Sequence, residues 1–135
     1  NPLTNGRSRR TLPPNRRDDM ATQTYTGSCQ CGAVAFQVDA DLDRTFTCNC
    51  SRCRRMGFVL TFVPRAAFHL TADGPTTEYQ FNKHAISHRF CPVCGVQSYA
   101  YGEREGQPLV AINVNCLDDV DARALASQAV DGASR

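Results

Sequence analysis

The stretch Thr47–Phe58, T-C-N-C-S-R-C-R-R-M-G-F, places three thiols, Cys48, Cys50 and Cys53, within six residues. Thiols this close in sequence can meet one soft cation, and a zinc ion is the common tetrahedral partner of sulfur and nitrogen ligands. Structural zinc sites take four protein ligands, whereas catalytic sites typically keep three and leave the fourth position to water or substrate. Three local ligands with no obvious fourth therefore suggest an open site. Working outward, Cys29-Gln30-Cys31-Gly32 lies upstream and Cys91-Pro92-Val93-Cys94-Gly95 downstream. These two short turns carry four more sulfurs, enough to close a separate tetrahedral site. The expectation is one closed metal and one open metal.

Other readings compete at each cluster. Cys91-x-x-Cys94 could be a redox pair, but such pairs usually open a helix in a βαβ unit, and no such unit is visible. The trio could hold an open catalytic zinc, could close a second zinc with Cys116 as fourth ligand, or could be free thiols. An iron–sulfur cluster usually draws on other spacings. Cys116 stands alone in Asn115-Cys116-Leu117, where a single cysteine is commonly a small buried hydrophobe. A disulfide framework is disfavoured because Cys-x-Cys and Cys-x-x-Cys pairs are too tight to staple distant loops.

The composition fits one domain. The chain has 135 residues and a formal charge of +2, long enough for a core and with no charge excess demanding nucleic acid or an anionic membrane. No apolar run approaches the roughly 20 residues of a membrane helix, and no signal-peptide pattern precedes the domain. A cytoplasmic protein is expected. Residues 1–19 hold five arginines and three prolines with almost no apolar residue, so a disordered extension is expected there, native or not, with the folded domain spanning 20–135.

Period-two alternation begins at Thr22. Val34, Phe36 and Val38 share one face and predict a half-buried strand. Ser51 to Met56 predicts a short helical turn ended by Gly57, and Phe58 to Val63 a strand buried on both faces and stopped by Pro64. Arg65-Ala66-Ala67 predicts one helical turn, and Phe68–Thr71, Thr76–Phe81, Ile86–Phe90, Val96–Tyr101 and Leu109–Val114 predict strands. Gly102 to Gln107 reads as a polar loop, Leu109–Val114 as the last strand, and Asp118 and Asp119 as caps of a helix over Val120 to Ala126. About seven short strands predict a mainly β protein. His84 and His88, four apart, would share a strand face, but with seven sulfurs at hand neither is needed as a ligand.

Three basic residues flank the trio. Arg52, Arg54 and Arg55 could neutralise its thiolates, bind carboxylates of an anionic substrate or cofactor through bidentate forks, or form a solvated face. No Ser/His/Asp arrangement and no glycine-rich nucleotide loop is present.

The segments G27-S-C-Q-C-G-A33, C48-N-C-S-R-C-R-R-M-G57 and R89-F-C-P-V-C-G95, together with N113-V-N-C-L-D-D-V-D121 and D131-G-A-S, resemble the family of glutathione-dependent formaldehyde-activating enzymes, whose domain is shared with centromere protein V. The resemblance implies small β-sheets packed around zinc knuckles, the arrangement called Mss4-like. It implies a structural zinc on Cys29, Cys31, Cys91 and Cys94 and a catalytic zinc on Cys48, Cys50 and Cys53. It also implies addition of glutathione to formaldehyde, a carbon–sulfur lyase reaction in reverse, with a small thiol or aldehyde as partner and no nucleic acid. The alternative is a non-catalytic, zinc-stabilised module binding an anionic protein or nucleic acid through the arginines.

Overall fold

A computed structural model describes residues 22–134 of the chain, so the extension expected over residues 1–19 lies outside the described residues. Two antiparallel-dominated sheets carry the fold. The smaller has the order β1-β2-β5, built from β1 (Thr22–Ser28), β2 (Val34–Asp41) and β5 (Phe68–Asp73). The larger contains β3 (Phe46–Cys48), β4 (Leu60–Pro64), β6 (Thr77–Tyr79), β7 (Ser87–Phe90), β8 (Gln97–Arg104), β9 (Gln107–Asn113) and β10 (Gln128–Val130), in the order β10-β3-β4-β9-β8-β7-β6. One short helix, α1 (Ser51–Met56), separates β3 from β4.

The alternation read in β2 places Val34, Phe36 and Val38 inside. They pack with Val63 of β4, Val110 and Ile112 of β9 and Tyr99 of β8 into one core. Phe68 joins the sheets, its ring 5.5 Å from Phe36 and 4.9 Å from Tyr99. The Gly27 to Leu117 bridge and the Asp118 N–H bond to the Thr26 carbonyl, 2.8 Å, tie β1 to the segment that follows β9. No helix among the described residues is long and apolar enough to cross a membrane.

Several local expectations are corrected. Strand β4 is buried on one face only: Thr61 and Val63 point inward, while Phe62 is 40% exposed and pairs with the Phe46 ring at 5.5 Å. The expected 102–107 loop is mostly strand. Arg104 pairs with Gln107, and Glu105 and Gly106 take φ of 52° and 80°, the double positive φ of the two-residue turn that matches strand twist. The expected helix over 120–126 shrinks to a 3₁₀ turn, Ala122–Ala124, capped by Asp121 rather than by Asp118 or Asp119. The Asp118 carboxylate instead accepts from the Thr26 hydroxyl. Leu109–Val114 is not the last strand, because β10 follows and pairs parallel to β3. His84 does not share a strand face with His88, since it sits in a turn with φ of 56° before β7 begins.

Candidate metal centres

Two sulfur groups form where the two sheets turn. In each, the sulfurs lie within 4.8 Å of one another: Cys29, Cys31, Cys91 and Cys94 in one, Cys48, Cys50 and Cys53 in the other. Both groups can hold metal ions. The Sγ atoms of Cys29 and Cys31 are 3.7 Å apart and those of Cys31 and Cys91 3.6 Å apart. Around a tetrahedral zinc ion with Zn–S bonds of about 2.3 Å, geometry puts sulfurs about 3.8 Å apart. The four-sulfur group thus has the dimensions of a closed tetrahedral site.

Each knuckle is a local consequence of sequence. After Cys91, the Cys91 N–H bonds to the Val96 carbonyl and the Gly95 N–H to the Cys91 carbonyl, at 3.0 and 2.8 Å. The turn reverses at Gly95, whose φ of 78° is cheap for a residue without Cβ. Backbone donors aim at the sulfurs: the Val96 and Cys31 N–H groups pull Cys94 down to about 6. Burial opposes ionisation of Cys29, yet the Val34 N–H, 3.4 Å from its sulfur, and the Cys31 thiol outweigh it, and its pKa falls. Cys31 moves the other way. Its Ala33 N–H contact favours the thiolate, but the Cys91 sulfur and burial push it up to about 11. Cys29 and Cys94 are thus shifted toward the thiolate and Cys31 toward the thiol, an arrangement that a cation at the centre relieves.

The three-sulfur group grows from the end of β3 and the start of α1. Cys50 caps the helix, its sulfur accepting from the Cys53 N–H at 3.3 Å, and Cys53 lies one turn on, buried. The Cys50 N–H points back at Cys48 Sγ, 3.5 Å away. The protonation pattern repeats: burial and the Cys50 sulfur raise Cys53, while the N–H groups of Cys53 and Arg52 lower Cys50 against its own desolvation. Cys116 belongs elsewhere. It is half-buried, its thiol 4.0 Å from the Gln97 carbonyl, and burial, followed by the charges of Cys29 and Cys94, raises its pKa. Among the described residues, no fourth sulfur joins the trio.

The three arginines diverge. Arg52 turns away from the sulfurs: its Nε and Nη2 donate to Gln97 Oε1 at 3.1 and 2.7 Å, and its guanidinium lies 4.8 Å over the Tyr79 ring. Arg55 donates to the Ser51 carbonyl. Arg54 lines a cavity of about 360 Å³ beside Cys48, together with Thr47, Asn49, Ala129, Val130 and Asp131. Sequence reasoning missed Asn49, Gln97 and the 129–134 segment as parts of the site. Only D131-G-A-S carried a signal, through the family resemblance.

Gln97 links Arg52 to His88. Since its carbonyl oxygen accepts from Arg52, its amide nitrogen donates to His88 Nδ1, 3.0 Å away, leaving the imidazole proton on Nε2. Burial, and next the Arg52 charge, push His88 down to about 4. An unfolded histidine titrates near 6.5, so the unfolded chain binds the extra proton first as pH falls. His88 should cost no stability above pH 6.5, and should destabilise progressively from there to pH 4, by about 3 kcal/mol in full. Urea melts of the protein and of His88→Gln between pH 7.5 and 4.5 check this: the gap between their stabilities should narrow or reverse toward acid. A constant gap sinks the assignment.

Fold and sulfur sets together define a small β-sheet protein with two cysteine clusters able to hold metal ions. The model of one family, the glutathione-dependent formaldehyde-activating enzymes, matches residues 24–130, and the chain belongs to this family. A crystal structure of a Rhodobacter sphaeroides protein is similar, with 28% sequence identity and a TM-score of 0.68, over 77% of this chain and 97% of that one. The Mss4-like arrangement of small sheets expected from the resemblance is the fold observed.

Proposed function

We propose that this chain is a zinc-dependent carbon–sulfur lyase-type enzyme, acting in the cytoplasm on the adduct of a glutathione-like thiol with formaldehyde or another small aldehyde. The observation that carries this reading is the contrast between the two sulfur groups: one gathers four sulfurs, the other has three and borders a cavity at Cys48. In this reading Cys29, Cys31, Cys91 and Cys94 hold a structural zinc, and Cys48, Cys50 and Cys53 hold the catalytic one. Zinc bound to the trio supplies positive charge that lowers the pKa of a thiol and polarises a carbonyl oxygen.

The rest falls to the chain's own residues. Arg54, on the cavity wall, presents a guanidinium fork to a carboxylate of the anionic thiol. In the forward direction the thiol sulfur forms a bond to the carbonyl carbon, the C=O π bond breaks, and the thiol proton ends on that oxygen as a hydroxymethyl thioether. The reverse cleaves the carbon–sulfur bond and returns thiol and aldehyde. Thiol ligands of this kind persist in a reducing compartment, which supports the cytoplasm. The engagement of Arg52 by Gln97 and of Arg55 by Ser51 disperses the basic cluster, and so favours a small molecule over an extended anionic partner.

The test is exchange NMR with ¹³C-formaldehyde and glutathione on reduced, zinc-loaded protein. Adduct formation and breakdown should run well above the uncatalysed rate. No acceleration with glutathione, cysteine or a simple alkyl thiol, with either formaldehyde or a larger aldehyde, sinks the proposal.

A further inference from the structure

The cavity at Cys48 has a wall that α1 and β3 do not build. Strand β10 runs parallel to β3, with Val130 registered against Cys48, and the chain then continues across the sulfurs. A Cβ on Gly132 would collide with Cys48 Sγ and come within 3.4 Å of Cys50 Cβ, so the strap at 131–134 lies directly against Cys48 and Cys50. One side chain, from between the first two cysteines, holds it there. Asn49 Nδ2 donates to Asp131 Oδ1 at 3.1 Å, and Asn49 Oδ1 accepts the Ala133 N–H at 2.9 Å. Its own N–H reaches the Val130 carbonyl at 3.3 Å, and Ser134 closes the strap on itself through Asp131 Oδ2. Both ends of one amide are spent on the strap.

We infer that Asn49 is a specificity-determining positioning residue: by pinning 131–134 across Cys48 it fixes the width of the approach to the three-sulfur group, admitting aldehyde-sized groups and excluding bulky ones. The cavity supports the size argument, since Val130 and Asp131, which lead into the strap, line it together with Cys48, Asn49 and Arg54. A strap that swung outward would widen the cavity toward solvent. A strap that moved inward is blocked by the sulfur beneath Gly132. The inference rests on the reading that substrate arrives at Cys48, but its test reads thiol access and needs no turnover.

The experiment uses the full chain, reduced and zinc-loaded. Alkylation rates at each cysteine are measured by mass spectrometry with iodoacetamide and with a bulky pyrenyl maleimide, normalised to exposed Cys31 of the other group. Cys29 and Cys91, both buried, report that the fold is intact. In the parent protein Cys48 should discriminate against the bulky reagent. Asn49→Ala loses two strap hydrogen bonds, which should erode that discrimination roughly tenfold or more. Ala133→Pro is the second variant, because it removes the N–H that Asn49 accepts and leaves every thiol and Asn49 in place; it should erode the discrimination in the same direction. No discrimination in the parent, or discrimination unchanged in Ala133→Pro or in folded Asn49→Ala, overturns the inference. Because labelling reports the strap alone, an inactive parent with a selective Cys48 would refute the proposed reaction and leave Asn49's role standing.

Discussion

Cys91→Ser is expected to abolish cooperative folding. Cys91 is 1% exposed, its sulfur lies 3.6 Å from Cys31, and its backbone closes the knuckle in both directions, from its N–H to Val96 and from its carbonyl to Gly95. Serine keeps the size but not the soft, ionisable ligand, and it leaves a hydroxyl in a pocket shaped for sulfur. A structural zinc in four thiolates contributes roughly 10–16 kcal/mol of apparent binding free energy at neutral pH, whereas a domain of this size is stable by about 5–15 kcal/mol in all. Losing even a third of the former is comparable to the whole of the latter at its low end. The measurement is thermal unfolding by circular dichroism together with metal content. The variant should show no cooperative transition and should lack one metal per chain, and strong chelation of the parent should reproduce its behaviour. A Cys91→Ser protein melting within a few degrees of the parent would show that the four-sulfur group does not hold the fold together.

The knuckles were legible because their information is local. Cysteine at x and x+2 or x+3 followed by Gly32 or Gly95 specifies ligand, spacing and turn within five residues, and both Cys29-x-Cys31 and Cys91-x-x-Cys94 converge as that pattern implies. Helix α1 was legible for the same reason, bounded by Cys50 at one end and Gly57 at the other. What escaped depends on partners far along the chain. Gln128–Val130 is three residues with no alternation to betray it, and it is a strand only because β3 lies alongside to accept its hydrogen bonds. The apolar run at 58–63 suggested a strand covered on both faces, but among the described residues no element covers the outer face at Phe62, which packs on the ring of Phe46.

The arginines show the limit most clearly at the site. A cluster of like charges beside three cysteines reads as one electrostatic feature, yet each guanidinium is directed by what it meets. For Arg52 that is a glutamine 45 residues away and a tyrosine on β6. Neither partner leaves a trace near position 52. Position 49 is the converse case: an asparagine in a tight turn is expected for turn chemistry alone, and only the fold brings the 131–134 segment within reach of both its amide atoms.

Cys53→Ser should separate the two centres. Cys53 sits in α1 with its N–H already used to support the Cys50 sulfur, a backbone bond that serine retains. The side chain is small and the four-sulfur group is untouched, so the fold should survive with a melting temperature lowered by a few degrees. The trio, however, falls to two thiols, and a serine hydroxyl does not ionise to replace the third. If the trio's cation contributes the several kilocalories of transition-state stabilisation usual for a Lewis acid, adduct turnover should fall by roughly 10³-fold or more. Metal content should drop by one equivalent while the circular dichroism spectrum is kept. This pairing discriminates between causes: loss of activity with both metals retained would give the Cys53 sulfur a role beyond holding the ion, and full activity with one metal lost would place catalysis outside the trio altogether. The same preparation of Cys116→Ser should keep both metals, because its sulfur gathers with neither sulfur group and meets the Gln97 carbonyl instead.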